Sequence, residues 1–195
     1  MKVKVLISVV IVLLGLAAGA YFFRPHNFHG TVIQSPDPAY NFTLTGAKGQ
    51  VSLSDFRGKL VLLYFGYTFC PDICPATLAN VGQALRLLGD KAGDVQVIMV
   101  SLDPGRDTPA KLAEYVAHFH PSFLGVTGAQ EEIDKVASLY GIFYQKTAGS
   151  ANTDYLIDHT ATLLVVDREG YLKLVFPFGV SAEEIADDLK YMLKQ

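Results

Sequence analysis

The stretch that most constrains this chain is residues 59–65, Lys-Leu-Val-Leu-Leu-Tyr-Phe. A nearly all-apolar run of that length fits a central strand buried on both faces. Gly-Tyr-Thr-Phe-Cys-Pro-Asp-Ile-Cys follows directly, ending at Cys74. Residues 75–89 then place Leu78, Val81, Leu85 and Leu88 at helical spacing. The chain therefore passes from a buried strand, through a loop holding both of its cysteines, into a helix. Pro75 suits a first helical position, where its missing N–H costs nothing. That puts Cys74 at or beside a helix N-terminus, whose dipole and free N–H groups favour a thiolate.

The flanking sequence supplies the rest of a sheet. Residues 42–44 and 50–52 read as short strands around a turn at 46–49, and 54–56 as a single helical turn. Residues 95–102 form a second buried-type strand, and 103–109 carry turn chemistry. Thr108 caps a helix running to about Phe119. A third strand is predicted at 123–126, and a helix at 130–140 with Ile133, Val136, Ala137 and Tyr140 on one stripe. Residues 142–145 read as a strand and 147–153 as a mobile loop. Residues 160–166 and 172–176 form a hairpin about a turn at 167–170. Residues 181–193 form a closing helix, with Ser181 and Glu184 as a capping box. This order predicts an α/β fold, a mixed sheet with helices on both faces. Cysteines in the first strand-to-helix loop make that fold thioredoxin-like.

Three regions precede or compose the domain. Lys2 and Lys4 flank an uncharged apolar run, residues 5–23, and Arg24 follows it. A bilayer-spanning helix takes roughly 20 residues, so 1–24 is expected to be a membrane anchor. A cleaved signal peptide is the rival, because Ala18-Gly19-Ala20 resembles a cleavage site. The positive flank keeps the N-terminus in the cytoplasm and the domain outside it, on the periplasmic side if bacterial. Either reading puts the cysteines in an oxidising compartment. Residues 25–40, with three prolines, read as a linker, and 41–195 as the folded domain. His26 and His29 are expected to be solvated linker histidines, although they are able to meet a metal. The formal charge is only −3 without a basic run, which excludes nucleic acid as a partner.

Cys70 and Cys74, four apart, either close a disulfide or hold a soft metal. His159, in Asp154-Tyr155-Leu156-Ile157-Asp158-His159-Thr160, comes close to the cysteine loop in a thioredoxin-like fold. There it is either a ligand or a hydrogen-bonded structural histidine. Two thiolates and an imidazole suit Cu(I), or Cu(II) with an added oxygen ligand. Zinc normally takes four ligands in a structural site, and a third cysteine is lacking.

Three blocks carry a resemblance. They are Tyr67-Thr68-Phe69-Cys70-Pro71-Asp72-Ile73-Cys74-Pro75, Ser101-Leu102-Asp103-Pro104-Gly105-Arg106-Asp107-Thr108-Pro109 and Tyr155-Leu156-Ile157-Asp158-His159-Thr160. From about Asn41 onward the chain resembles the SCO/SenC family of membrane-anchored copper proteins used in cytochrome c oxidase assembly. Gly105 departs from the pattern, where the family often carries Glu. The resemblance implies that Cys70, Cys74 and His159 bind copper, as Cu(I) or Cu(II). It implies delivery to the dinuclear copper centre of oxidase subunit II, with a copper donor protein and a thiol reductant as further partners. A thiol–disulfide reductase using Cys70 and Cys74 on the oxidase cysteines is the main alternative. A peroxidase and a merely structural disulfide are further rivals. Tyr67 and Phe69 are expected to wall the site and Asp158 to orient His159 or to lie exposed at a strand end. Asp72 either tunes the charge of the site or meets the partner, or is a solvated turn carboxylate; Arg106 and Asp107 are read as a structural turn or salt bridge, and His118 and His120 as surface histidines.

Overall fold

A computed structural model describes residues 26–149 and 154–195. In chain order its strands are β1 (Thr31–Val32), β2 (Thr43–Gly46), β3 (Gly49–Ser52), β4 (Leu60–Gly66), β5 (Val95–Ser101), β6 (Leu124–Thr127), β7 (Tyr144–Ala148), β8 (Tyr155–His159), β9 (Leu163–Val166) and β10 (Leu172–Phe176). The helices are α1 (Ile73–Leu88), α2 (Pro109–Ala117), α3 (Gln130–Leu139) and α4 (Ala182–Met192). Eight strands form one mixed sheet in the order β1-β10-β9-β4-β5-β6-β2-β3, and β7 and β8 form a separate ribbon.

β4 is central and wholly buried. Its alternate residues feed two cores. Leu60, Leu62 and Tyr64 join the cluster holding the apolar faces of α1, α2 and α4. Val61, Leu63 and Phe65 join the cluster under α3. Burial of each such side chain contributes about 1.5–3 kcal/mol. β5 runs parallel to β4 in register from Leu60↔Val95 to Gly66↔Ser101. The loops after both strands therefore leave the sheet side by side at its carboxyl edge, the usual place for a site in such sheets.

The structure differs from the sequence reading in three places. First, residues 26–32 are not a free tether. β1 pairs antiparallel with β10, and the His26 side chain and the backbone N–H groups of His29 and Gly30 bond to Asp188 of α4. The open edge of β10 and a buried carboxylate both need partners, and this segment supplies them. Second, α1 begins at Ile73, with Pro75 two residues further in. The first four N–H groups of a helix have no partner within it, so proline is tolerated there too. Third, residues 155–159 are a strand, and its partner β7 begins at Tyr144 and takes in Thr147 and Ala148 from the expected loop. The rest of that loop, 150–153, lies outside the described residues, as does the expected anchor at 1–24. No helix among the described residues is long and apolar enough to cross a membrane.

Candidate metal centre

The cysteine loop, α1 and the end of β8 converge beyond the carboxyl end of β4. Leu163 pairs with Tyr64 across the sheet, which leaves His159, four residues earlier, over the end of β4. The ligand atoms of Cys70, Cys74 and His159 all lie within 4.8 Å of one another. Cys74 Sγ is 3.5 Å from His159 Nε2. His159 Nδ1 lies 3.1 Å from the Thr160 carbonyl oxygen. A carbonyl only accepts, so Nδ1 carries the proton and the Nε2 lone pair faces the sulfurs.

The two cysteines are free thiols with different surroundings: Cys70 is half-buried and Cys74 is fully buried. Gly66 makes room for the inner one. A Cβ there would lie 2.9 Å from Cys74 Sγ and 2.8 Å from the Tyr64 ring. The Cys74 thiol donates to Cys70, and the neighbouring His159 imidazole and the backbone N–H groups of Cys74 and Asp72 add to it. These hold the Cys70 thiol well below its ordinary range. Cys74 is pushed up, first by its bond to Cys70 and then by burial. This reverses the expectation that the helix terminus favours a Cys74 thiolate. The free N–H groups of the first turn do favour a thiolate, but they point at Cys70, with Cys74 N to Cys70 Sγ at 3.4 Å.

The other two sequence blocks brace this centre. Asp107 is fully buried and accepts from Thr68 N at 3.0 Å, from the Thr68 hydroxyl and from Ser101 Oγ at 2.7 Å. It ties the cysteine loop to the loop after β5. Asp103 accepts from Arg106 Nε and from the Tyr155 hydroxyl at 2.6 Å, while Arg106 also donates to the Tyr155 carbonyl. The second block therefore grips the first through Asp107 and the third through Asp103. Tyr67 is buried, accepts from Ile157 N–H at 3.1 Å and sets its ring edge-on to His159.

Other expected residues fall elsewhere. Phe69 is 42% exposed, with Arg106 and Lys111 over its ring. Asp158 does not orient His159, because strand alternation turns it outward and the Thr160 carbonyl serves Nδ1 instead. It is the exposed strand-end carboxylate of the other reading. Asp72 is exposed, and His118 and His120 sit at the surface end of α2. Tyr64, whose buried hydroxyl faces the Cys74 thiol, was not anticipated. A lone hydroxyl-bearing side chain in an otherwise apolar buried strand is the signal that marks it.

With this geometry in place, comparison with known proteins decides the family. A family model described as SCO1/SenC matches residues 32–194. The chain belongs to the SCO1/SenC family. A bovine relative, the mitochondrial protein SCO2 homolog, is 39% identical over 153 residues, covering 77% of this chain and 58% of that one. The chain thus spans less than two thirds of that relative's length. Among solved structures, apo Sco1 from Thermus thermophilus superposes with a TM-score of 0.77 at 43% identity, covering 86% of this chain and 98% of that one. Arabidopsis thaliana ScoI with copper bound superposes at 0.75 and 33% identity, covering 82% and 99%. The fold is the mixed α/β, thioredoxin-like fold of Sco proteins.

Proposed function

We propose that this SCO1/SenC protein is a copper metallochaperone, with Cys70, Cys74 and His159 as its ligands. The observation that carries the reading is their convergence within 4.8 Å, two sulfurs and a lone-pair nitrogen. Sco relatives have been solved with copper bound, and Sco proteins are linked to cytochrome c oxidase assembly. In this reading copper would displace the Cys74 proton and bind both sulfurs as thiolates, with His159 Nε2 completing a three-ligand site. Asp107 and Asp103 keep the loops in place without touching the cargo. Cys70, the more exposed sulfur, is where an acceptor thiol begins ligand exchange. The acceptor is the dinuclear copper centre of oxidase subunit II, reached from the extracytoplasmic face of the membrane, and a separate donor protein loads the site.

The test is copper stoichiometry and affinity of the reduced protein. One tightly bound copper is expected, lost in Cys70→Ser/Cys74→Ser and weakened about 10- to 100-fold in His159→Ala. Weak binding indifferent to His159 would refute the three-ligand reading.

A second reading rests on the half-exposed Cys70 in front of the buried Cys74, an attacking thiol with a resolving thiol behind it. As a thiol–disulfide reductase, the protein would reduce a disulfide in a peptide carrying the oxidase copper-site cysteines. It would do so in the absence of copper and would keep the activity in His159→Ala. Both roles need the pair reduced, so a separate reductant is expected in an oxidising compartment. Air exposure of the purified, copper-free protein is expected to convert the two thiols into a disulfide. Thiols that persist indefinitely would remove the need for that reductant.

A further inference from the structure

A second group of ligands lies away from the cysteines, where the segment before β1 crosses α4. His26, Asp187 and Asp188 bring ligand atoms within 4.8 Å of one another. We propose that this cluster is a second metal site, for a divalent cation of zinc or Cu(II) type, which clasps the N-terminal segment to α4.

The cluster has the features of a prepared site. Asp188 is fully buried, and its two oxygens are divided. Oδ2 accepts the backbone N–H groups of His29 at 2.9 Å and Gly30 at 3.1 Å. Oδ1 faces His26 Nε2 at 2.8 Å. Holding one oxygen by backbone donors fixes the other as a one-atom ligand, the way ligating carboxylates are commonly oriented. The imidazole is fixed as well. It stacks on Tyr191 at 4.3 Å between centroids and meets Phe28 edge-on. The 2.8 Å hydrogen-bond separation opens by about 0.5 Å to the roughly 3.3 Å between neighbouring ligands of a tetrahedral site with bonds of about 2.0–2.1 Å. Asp187 offers an exposed carboxylate on the solvent side, and His29 Nε2 lies 3.4 Å beyond it. Glu184 stands on the other side of His29, at 3.7 Å from Nδ1.

The donor set decides the kind of metal. Nitrogen and carboxylate oxygen without sulfur suit zinc or Cu(II) and not Cu(I). The site is therefore chemically distinct from the cysteine centre and does not depend on its function. Nε2 donates to Oδ1 in the free protein, so metal replaces that proton. It passes through solvent to Nδ1 and leaves a neutral imidazole as ligand.

Zinc titration of the full chain carrying Cys70→Ser/Cys74→Ser, in detergent, tests the proposal by calorimetry and thermal melting. One zinc per chain and a raised melting temperature are expected. Asp187→Asn and His26→Gln should each weaken that binding by about tenfold or more. His118→Gln/His120→Gln should leave it unchanged. Asp187 is exposed, so its variant keeps the fold even if His26→Gln does not. Failure to take up one equivalent of zinc overturns the proposal. So does uptake that follows His118 and His120 and ignores Asp187.

Discussion

At the scale of single residues, the centre depends on groups that never touch the cargo. Asp107 is a buried carboxylate whose hydrogen bonds hold Thr68 two residues before Cys70. Asp107→Asn keeps the shape but removes the charge that Thr68, Ser101 and Lys111 address. A hydrogen bond to a charged group is worth about 1.5–3 kcal/mol. A loss of about that size in urea unfolding is expected, together with weaker copper binding. Unchanged affinity would show that the loop keeps its geometry without Asp107. Gly66→Ala acts from the other side. The new Cβ collides with Cys74 Sγ and Tyr64, and overpacking of this kind costs about 1–3 kcal/mol. The same substitution should lower copper affinity, because only backbone, Tyr64 or a ligand is able to move.

At the scale of elements, the closing helix shows how local chemistry sets a boundary. Ser181 Oγ accepts from Glu184 N–H, while the Glu184 carboxylate accepts from the Ser181 N–H and hydroxyl. Ser181→Ala should cost about 1 kcal/mol in equilibrium unfolding. The same bonds hold the Glu184 carboxyl below its ordinary range. A lowered folded value stabilises the protein above the ordinary glutamate range, and this contribution is lost as pH falls through the lowered value. The acid limb of a stability–pH profile should therefore be shallower in Ser181→Ala than in the wild type. Parallel limbs would mean that the box adds no pH-dependent stability. The β7–β8 ribbon is a different case. Its residues alternate only weakly between buried and exposed, so periodicity does not announce a strand.

At the scale of the molecule, the segment before β1 is part of the fold. Without residues 26–32, Asp188 loses all its described partners, and β10 loses an edge strand. An uncompensated buried charge costs about 3–5 kcal/mol. Protein beginning at Ile33 should therefore unfold at markedly lower urea than protein beginning at Pro25. Equal midpoints would return the segment to the status of a tether.

The sequence by itself determined the central strand, the helix after it and the closing helix cap. Each of these rests on short-range information: an apolar run, a 3.6-residue stripe, a serine three residues before a glutamate. The resemblance carried by three blocks added His159 to the cysteines. Tertiary structure alone decided towards which cysteine the helix N–H groups point, which nitrogen of His159 is free, and that Asp107 and Asp103 bind the three blocks together. It also decided that His26 and His29 belong to α4's surroundings. Those properties come from burial and from hydrogen bonds between residues far apart in the chain, such as Thr68 with Asp107 and His26 with Asp188. No local pattern encodes such a partner, because proximity across the chain exists only once the sheet has brought its strand ends together.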